Sequence, residues 1–173
     1  MAASVVYASI FAAVMASLPA VRTQMVVFDT AVVDLTPLLN DPVDVLFGAQ
    51  LGGGTDIGKA LAYCQSIIRR PQETIMVLIT DLYEGGNHDE LLRRTEQIIG
   101  SGVQLITLLA LNDDGAPGYN SGLASAFAEL GSPAFVCTPD LFPELMAAAI
   151  RRDDLTAWLA SHDVRSNRHS SGA

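Results

Sequence analysis

Residues 74–80, Thr-Ile-Met-Val-Leu-Ile-Thr, form an unbroken apolar run closed on its carboxyl side by Asp81. A run this rich in Ile and Val, with no polar alternation, suits a strand buried on both faces, which is the condition of a parallel strand between two helical layers. Its flanks agree with that reading. Residues 56–68 carry a helical pattern ended by Arg69, Arg70 and Pro71, and residues 89–99 carry another ended by Gly100 and Gly102. Strands alternating with helices need crossover connections, right-handed ones, and so specify an α/β domain. In open sheets of that kind ligands gather beyond the carboxyl ends of the strands, and Asp81 stands at that edge.

The rest of the chain extends the pattern. Residues 24–28 and 31–35 read as two short strands around Asp29 and Thr30, close enough to pair antiparallel at a sheet edge. Residues 37–42 are a turn region between two prolines, and residues 43–47 a short helix. Residues 103–111 are a further apolar strand leaving through a turn-rich loop at 112–118, followed by a helix at 121–130, a short last strand at 134–137, and helices at 142–150 and 153–161, the last carrying Trp158. One domain over residues 1–161 is expected, with residues 162–173 as a disordered tail. Residues 1–21 contain no charge, which admits a membrane span or signal segment. Ser4, Tyr7, Ser9 and Ser17 interrupt that stretch, and Val6, Ile10, Val14 and Leu18 recur every fourth residue, so a helix over 1–18 is expected to lay that stripe on a sheet.

Ahead of the 56–68 helix lies Gly52-Gly53-Gly54-Thr55-Asp56, which puts a hydroxyl and a carboxylate beside the strand end at Asp81. Thr55 alone reads equally as a helix cap, and Asp81 alone as a turn carboxylate. Together they offer oxygens of the type that a hard cation such as Mg²⁺ prefers, although two side chains leave most of an octahedron to water or a partner. Glu84, in the loop after Asp81, reads as a solvated carboxylate, and the Arg pairs at 69–70, 93–94 and 151–152 as helix-face and helix-end charges. Lys and Arg total 10 against 19 Asp and Glu, and Lys59 is the single lysine, so no basic face exists to neutralise nucleic acid. Cys64 and Cys137 lack metal-binding or redox spacing and read as buried free thiols, in keeping with a reducing, cytoplasmic setting. His88, His162 and His169 are scattered and assemble neither a zinc site nor a nucleophilic triad.

A nucleotide-binding alternative rests on the same loop. Gly53-x-x-x-x-Gly58-Lys59-Ala60 lies one residue from the phosphate-binding pattern, but Ala60 stands where the Mg²⁺-directed hydroxyl belongs, and residues 47–51 are too short and broken for the strand that feeds such a loop.

The Gly53-Gly54-Thr55 loop and the strand end Ile79-Thr80-Asp81 resemble the second and third motifs of the metal-ion-dependent adhesion site in von Willebrand factor type A (VWA) domains. The run Val26-Val27-Phe28-Asp29-Thr30 and the stretch Leu82-Tyr83-Glu84-Gly85-Gly86 look most like the bacterial branch found with MoxR-type AAA+ ATPases. The resemblance covers roughly residues 1–150. It implies a three-layer, Rossmann-like, mostly parallel sheet with helices on both faces, and a function in binding rather than turnover. The implied cation is Mg²⁺ or Mn²⁺, with Thr55 as a direct ligand, Asp81 as a direct or water-mediated one, and a carboxylate from a protein partner such as a MoxR-type ATPase completing the shell. The family's first motif, Asp-x-Ser-x-Ser at the end of its central strand, occurs nowhere in the chain. The resemblance therefore implies an N-terminally truncated domain in which residues 24–28 and 74–80 have lost their shared neighbour, leaving either a gap or a collapsed sheet. Metal affinity is then expected to be weak, with a metal-free interaction remnant as the alternative.

Overall fold

The computed structural model describes residues 10–39, 44, 54–110, 118–162 and 164. Helix α1 covers residues 10–16, and Pro19 follows its last turn. Strands β1 (Val26–Phe28) and β2 (Val32–Asp34) form an antiparallel hairpin in the register Val27 to Val33, followed by a turn of 3-10 helix at Thr36–Leu38. Helix α2 (Ile57–Ile67) leads through Pro71–Glu73 into β3 (Ile75–Thr80). Then come α3 (His88–Gly100), β4 (Gln104–Leu109), α4 (Ser121–Glu129), β5 (Ala134–Phe135), α5 (Phe142–Ile150) and α6 (Leu155–Ser161). Of the expected helix at 43–47 only residue 44 is described, and it is helical; the loop at 112–117 and the tail beyond 164 lie outside the described residues. His162 and Val164, which are described, pack back on the domain: His162 stacks on Trp158 and bonds Glu144 at 3.1 Å, and Val164 joins the core around α5 and α6.

Strands β3, β4 and β5 form a parallel sheet in that order, with Ile75 opposite Gln104 and Thr107 opposite Ala134. Strand alternation distributes the core between two helical layers. Leu105 and Leu109 of β4 face Ile57, Leu61, Leu91, Ile98, Leu123 and Phe127 from α2, α3 and α4. Ile106 and Leu108 face the other way, onto Phe11, Met15, Phe142, Leu145, Leu155 and Leu159 from α1, α5 and α6. This is the expected three-layer α/β arrangement. Inside it, the Thr107 and Ser132 hydroxyls, both fully buried, satisfy each other at 2.9 Å.

Helix α1 does not bury the face expected of it. Ile10, Val14 and Leu18 are 45%, 38% and 39% exposed, whereas Phe11 and Met15 are buried. Val6 lies outside the described residues. Alanines on every side of this helix leave two stripes of similar hydrophobicity, and the larger side chains take the core: Phe11 stacks on Phe142 with ring centres 3.9 Å apart.

Among the described residues the β1–β2 hairpin is not joined to the β3–β4–β5 sheet. It carries its own small cluster, Met25, Val27 and Leu35, and is fastened to α2 by polar ties. Asp56 N–H donates to the Asp29 carbonyl at 2.9 Å, Lys59 Nζ to the Thr30 carbonyl at 2.9 Å, and the Tyr63 hydroxyl to Asp34 Oδ2 at 2.8 Å. Burial alone would raise the Asp34 carboxyl, but hydrogen bonds from Thr36 and Tyr63 outweigh it and hold the group below its usual range. A lowered folded-state value adds stability above the unfolded value of 3.8 that disappears as pH falls through the folded one. Tyr63→Phe is therefore expected to cost about 1 kcal/mol at neutral pH, with the deficit shrinking in acid below that value, as denaturant melts at several pH values would show.

Between β1 and β3 lies a cleft of about 1270 Å³. The two strands wall it; Ala60, Leu61 and Cys64 of α2 lie on one side, and Phe11, Met15 and Met146 of α1 and α5 on the other. The gap marks the burial of β3: four of its six residues are only half-buried, while five of the six in β4 are buried. Of the two outcomes expected for residues 24–28 and 74–80, a gap rather than direct pairing is what the structure shows.

Candidate functional site

The carboxyl ends of β1 and β3 converge on the start of α2. Asp29, directly after β1, accepts from Asp56 N–H, and Gly85, five residues after β3, donates its N–H to the Thr55 carbonyl at 2.8 Å. That approach favours glycine, because a Cβ on Gly85 would stand 3.0 Å from the Thr55 carbonyl oxygen, and backbone yields less readily than a side-chain tip does. The Asp81 carbonyl accepts from Asn120 N–H at 2.9 Å, which brings the start of α4 to the same edge. Thr55, Asp81, residues 84–85 and Asn120 are thus gathered on one rim. Of the loop at 113–119, expected to line it as well, residues 113–117 lie outside the described residues.

Thr55 is half-buried and is not the helix cap. Asp56 takes that role, its Oδ1 accepting from Lys59 N–H at 2.8 Å. The Thr55 hydroxyl makes no hydrogen bond among the described residues. Asp81 does build the turn expected of a strand-ending Asp, with Oδ1 accepting from Tyr83 N–H at 3.0 Å, and Oδ2 has no hydrogen bond among the described residues. Next to it, Leu82 has φ 58°, a left-handed conformation that a branched side chain adopts only under constraint. The constraint is visible: the Leu82 side chain is fully buried and its N–H donates to the Thr80 hydroxyl at 3.1 Å. Core packing of Leu82 thereby fixes where Asp81 sits on the rim.

Glu84 corrects the sequence expectation of a solvated carboxylate. Its Oε2 accepts from Ile57 N–H at 2.7 Å, at the first turn of α2, and its Oε1 from Gly86 N–H at 2.7 Å. The partner is 27 residues away, so no local pattern could announce it. Glu84→Ala is expected to lower stability by about 1–2 kcal/mol, since it removes a charged acceptor from a helix amino terminus, and a chemical-denaturation midpoint would register it. Arg94 is likewise more than a surface charge: it bonds Glu90 at 3.0 Å and Gln65 at 3.4 Å, tying α3 to α2.

The same contacts bear on the phosphate-loop alternative. Gly53 is outside the described residues, and Gly58 lies inside α2. Two N–H groups of the first turn already hold carboxylates, Glu84 and Asp56, which repel a phosphate, and Lys59 is turned onto the Thr30 carbonyl. Lys59→Ala should leave ATP binding unchanged, at background level, in an equilibrium filtration assay.

As a cation site the rim is short of donors. Thr55 and Asp81 have the right oxygen chemistry, but no group of three or more His, Cys, Asp or Glu among the described residues is placed to hold a metal ion. A small divalent ion asks for six oxygens, so these residues do not make a self-sufficient centre. The free cysteines stand apart from the rim, and burial above all, together with the charges of Asp34 and Asp140 respectively, pushes the Cys64 and Cys137 thiols up to about 11. No helix among the described residues is long and apolar enough to cross a membrane.

Comparison with known proteins adds three findings. A family model described as "VWA domain containing CoxE-like protein" matches residues 1–146. The uncharacterized protein YehP of Escherichia coli (strain K12) is 35% identical over 159 residues, which are 92% of this chain and 39% of that protein. The chain therefore spans well under half the length of that relative. Among solved structures, an aerotolerance-related membrane protein from Bacteroides fragilis, crystallised with multiple mutations to serines, superposes with a TM-score of 0.57 at 15% identity, covering 88% of this chain and 86% of that one. At that identity the likeness is one of fold.

Proposed function

This chain belongs to the family of VWA domain containing CoxE-like proteins, and from that membership we propose that it is a protein-interaction domain, not an enzyme, whose binding edge is the rim carrying Thr55 and Asp81. The observation that carries this reading is the convergence of β1, β3 and the start of α2 on that rim, where the Gly85 and Glu84 contacts hold a hydroxyl and a carboxylate at the mouth of the sheet. The partner class is a MoxR-type AAA+ ATPase, as the sequence resemblance implies, and the setting is cytoplasmic.

Metal dependence is the finer part of the proposal. Thr55 and Asp81 would be this chain's contribution to a Mg²⁺ or Mn²⁺ ion, and a partner carboxylate and water would have to supply the remainder. Because two protein oxygens offset little of the cost of dehydrating Mg²⁺, the chain alone is expected to bind the ion weakly, on the order of millimolar or worse. Titration calorimetry with MgCl₂ and MnCl₂ checks this, and micromolar binding would contradict it. The test of the function itself is a binding assay between the chain and a purified MoxR-type ATPase of the same organism. Thr55→Ala and Asp81→Ala are expected to weaken capture while leaving the circular dichroism unchanged. Capture by neither the parent chain nor its variants would remove the ATPase from the proposal, and equal capture by all three would move the interface off this rim.

A further inference from the structure

We propose that His162 is a proton-operated latch: as an imidazolium it fastens the end of α6 to the first turn of α5 and holds the chain at Val164 against the domain, and as a neutral ring it lets that segment go. The inference goes beyond the interaction-domain reading and uses neither Thr55 nor Asp81.

The geometry offers two acceptors to one ring. His162 Nε2 lies 3.1 Å from Glu144 Oε2, and Nδ1 lies 2.9 Å from the Trp158 carbonyl oxygen. A neutral imidazole carries a single N–H and satisfies one of these oxygens, whereas an imidazolium donates to both. The Ser161 hydroxyl stands 2.7 Å from the same carbonyl and 2.9 Å from Nδ1. Its one proton serves one of those contacts, so Ser161 softens the loss of a ring donor without replacing it.

The surroundings favour the charged ring as well. His162 is the C-cap of α6, at the negative end of that helix, and Glu144 sits in the first turn of α5, at the positive end of its own. The ring is stacked on Trp158 with centres 4.2 Å apart and planes 25° apart, an arrangement in which a cation gains from the indole face. Among the described residues of this helical layer no other charge stands beside it. Residues 1–21, which include α1, contain none; Glu144 is the only charged residue of α5, and α6 has none. Asp153 and Asp154 lie at the opposite end of α6, held by Arg151 and by Thr156 N–H, and the charge of Asp140 falls on Cys137.

The segment released is the one that follows. Val164 N–H donates to the Leu159 carbonyl at 3.2 Å, and its side chain packs on the core around α5 and α6. His162 is 28% exposed and Glu144 65%, so the pair meets water and exchanges protons without unfolding of the domain. Imidazole changes charge between about pH 5 and 8, which closes the latch in mild acid and opens it as pH rises.

Trp158 is the only tryptophan and therefore reports on the ring stacked against it. A protonated imidazole quenches a stacked indole, so emission from the full chain is expected to rise about 1.5-fold or more from pH 5.5 to pH 8 and to stay level in His162→Gln. Over the same range the Val164 amide, corrected for intrinsic exchange, is expected to lose about fivefold in protection. Glu144→Gln keeps the ring and its stack; its fluorescence change is expected to remain, while Val164 protection in mild acid falls to the level of the parent chain in mild alkali. A fluorescence change that survives His162→Gln, Val164 protection that does not follow pH, or Glu144→Gln as well protected as the parent in mild acid would each overturn the proposal. None of these readouts involves the ATPase or a metal ion, so their failure leaves the reading of the rim untouched.

Discussion

The 173-residue chain alone is expected to be marginally stable, melting early and broadly or aggregating as concentration rises. The reason lies in the open wall of β3. Its six residues present alternate N–H and C=O groups to a cleft lined mainly by apolar side chains. Each such group left unpaired away from water costs about 1–3 kcal/mol. Five or six of them amount to on the order of 10 kcal/mol, comparable to the roughly 5–15 kcal/mol that holds a typical domain together. Water entering the cleft lowers the cost but leaves apolar surface wet, and a free strand edge is also a template for pairing with other chains. Thermal denaturation followed by circular dichroism, with sedimentation at several concentrations, checks this. A sharp, reversible, monomeric transition at high temperature would contradict it.

Against so narrow a margin, Phe127→Ala is expected to abolish folding. Phe127 is fully buried among Leu105, Leu123 and Ala134, between α4 and the sheet, and truncating a buried Phe costs about 3–5 kcal/mol in lost transfer energy and cavity. Leu82→Ala should cost about 2–4 kcal/mol by the same route and additionally release the left-handed turn that aims Asp81. Ile150→Ala, at a site 47% exposed, is the control expected to change stability by less than about 0.5 kcal/mol. Urea titrations of the three variants would rank them, and a Phe127→Ala chain as stable as the Ile150→Ala chain would show that the core is not where it is described.

Much of this fold is legible in the sequence because its parallel strands are short, apolar and separated by helices with clear ends. Asn87, Asn120 and Asp154 cap α3, α4 and α6 through their side chains, and the residues that follow carry the helical period. The two edges at Asp81 and Thr55 followed from strand ends and glycine chemistry. What escaped was set at long range. The choice between the Ile10–Val14 and Phe11–Met15 stripes of α1 depends on Phe142, an aromatic ring far along the chain. Glu84 is a helix-capping carboxylate only because the loop after β3 folds onto a helix that precedes it in sequence. The gap itself was foreseen through the absent Asp-x-Ser-x-Ser motif, a property of the family resemblance. Periodicity within residues 24–28 or 74–80 carries no trace of which neighbour a strand lacks, since a parallel strand buried on both faces reads the same at the edge of a sheet as in its middle.

Residue-resolved amide hydrogen exchange on the free chain tests the central claim most directly, that two separate partial sheets flank an open, strand-wide cleft beside the rim carrying Thr55 and Asp81. The amides of β4, paired on both sides by β3 and β5, are expected to be the slowest to exchange, and those β3 amides that point away from β4 to exchange at least about tenfold faster. Uniform protection across β3 and β1, matching that of β4, would mean that the two strands are joined into one continuous sheet, and would contradict the account.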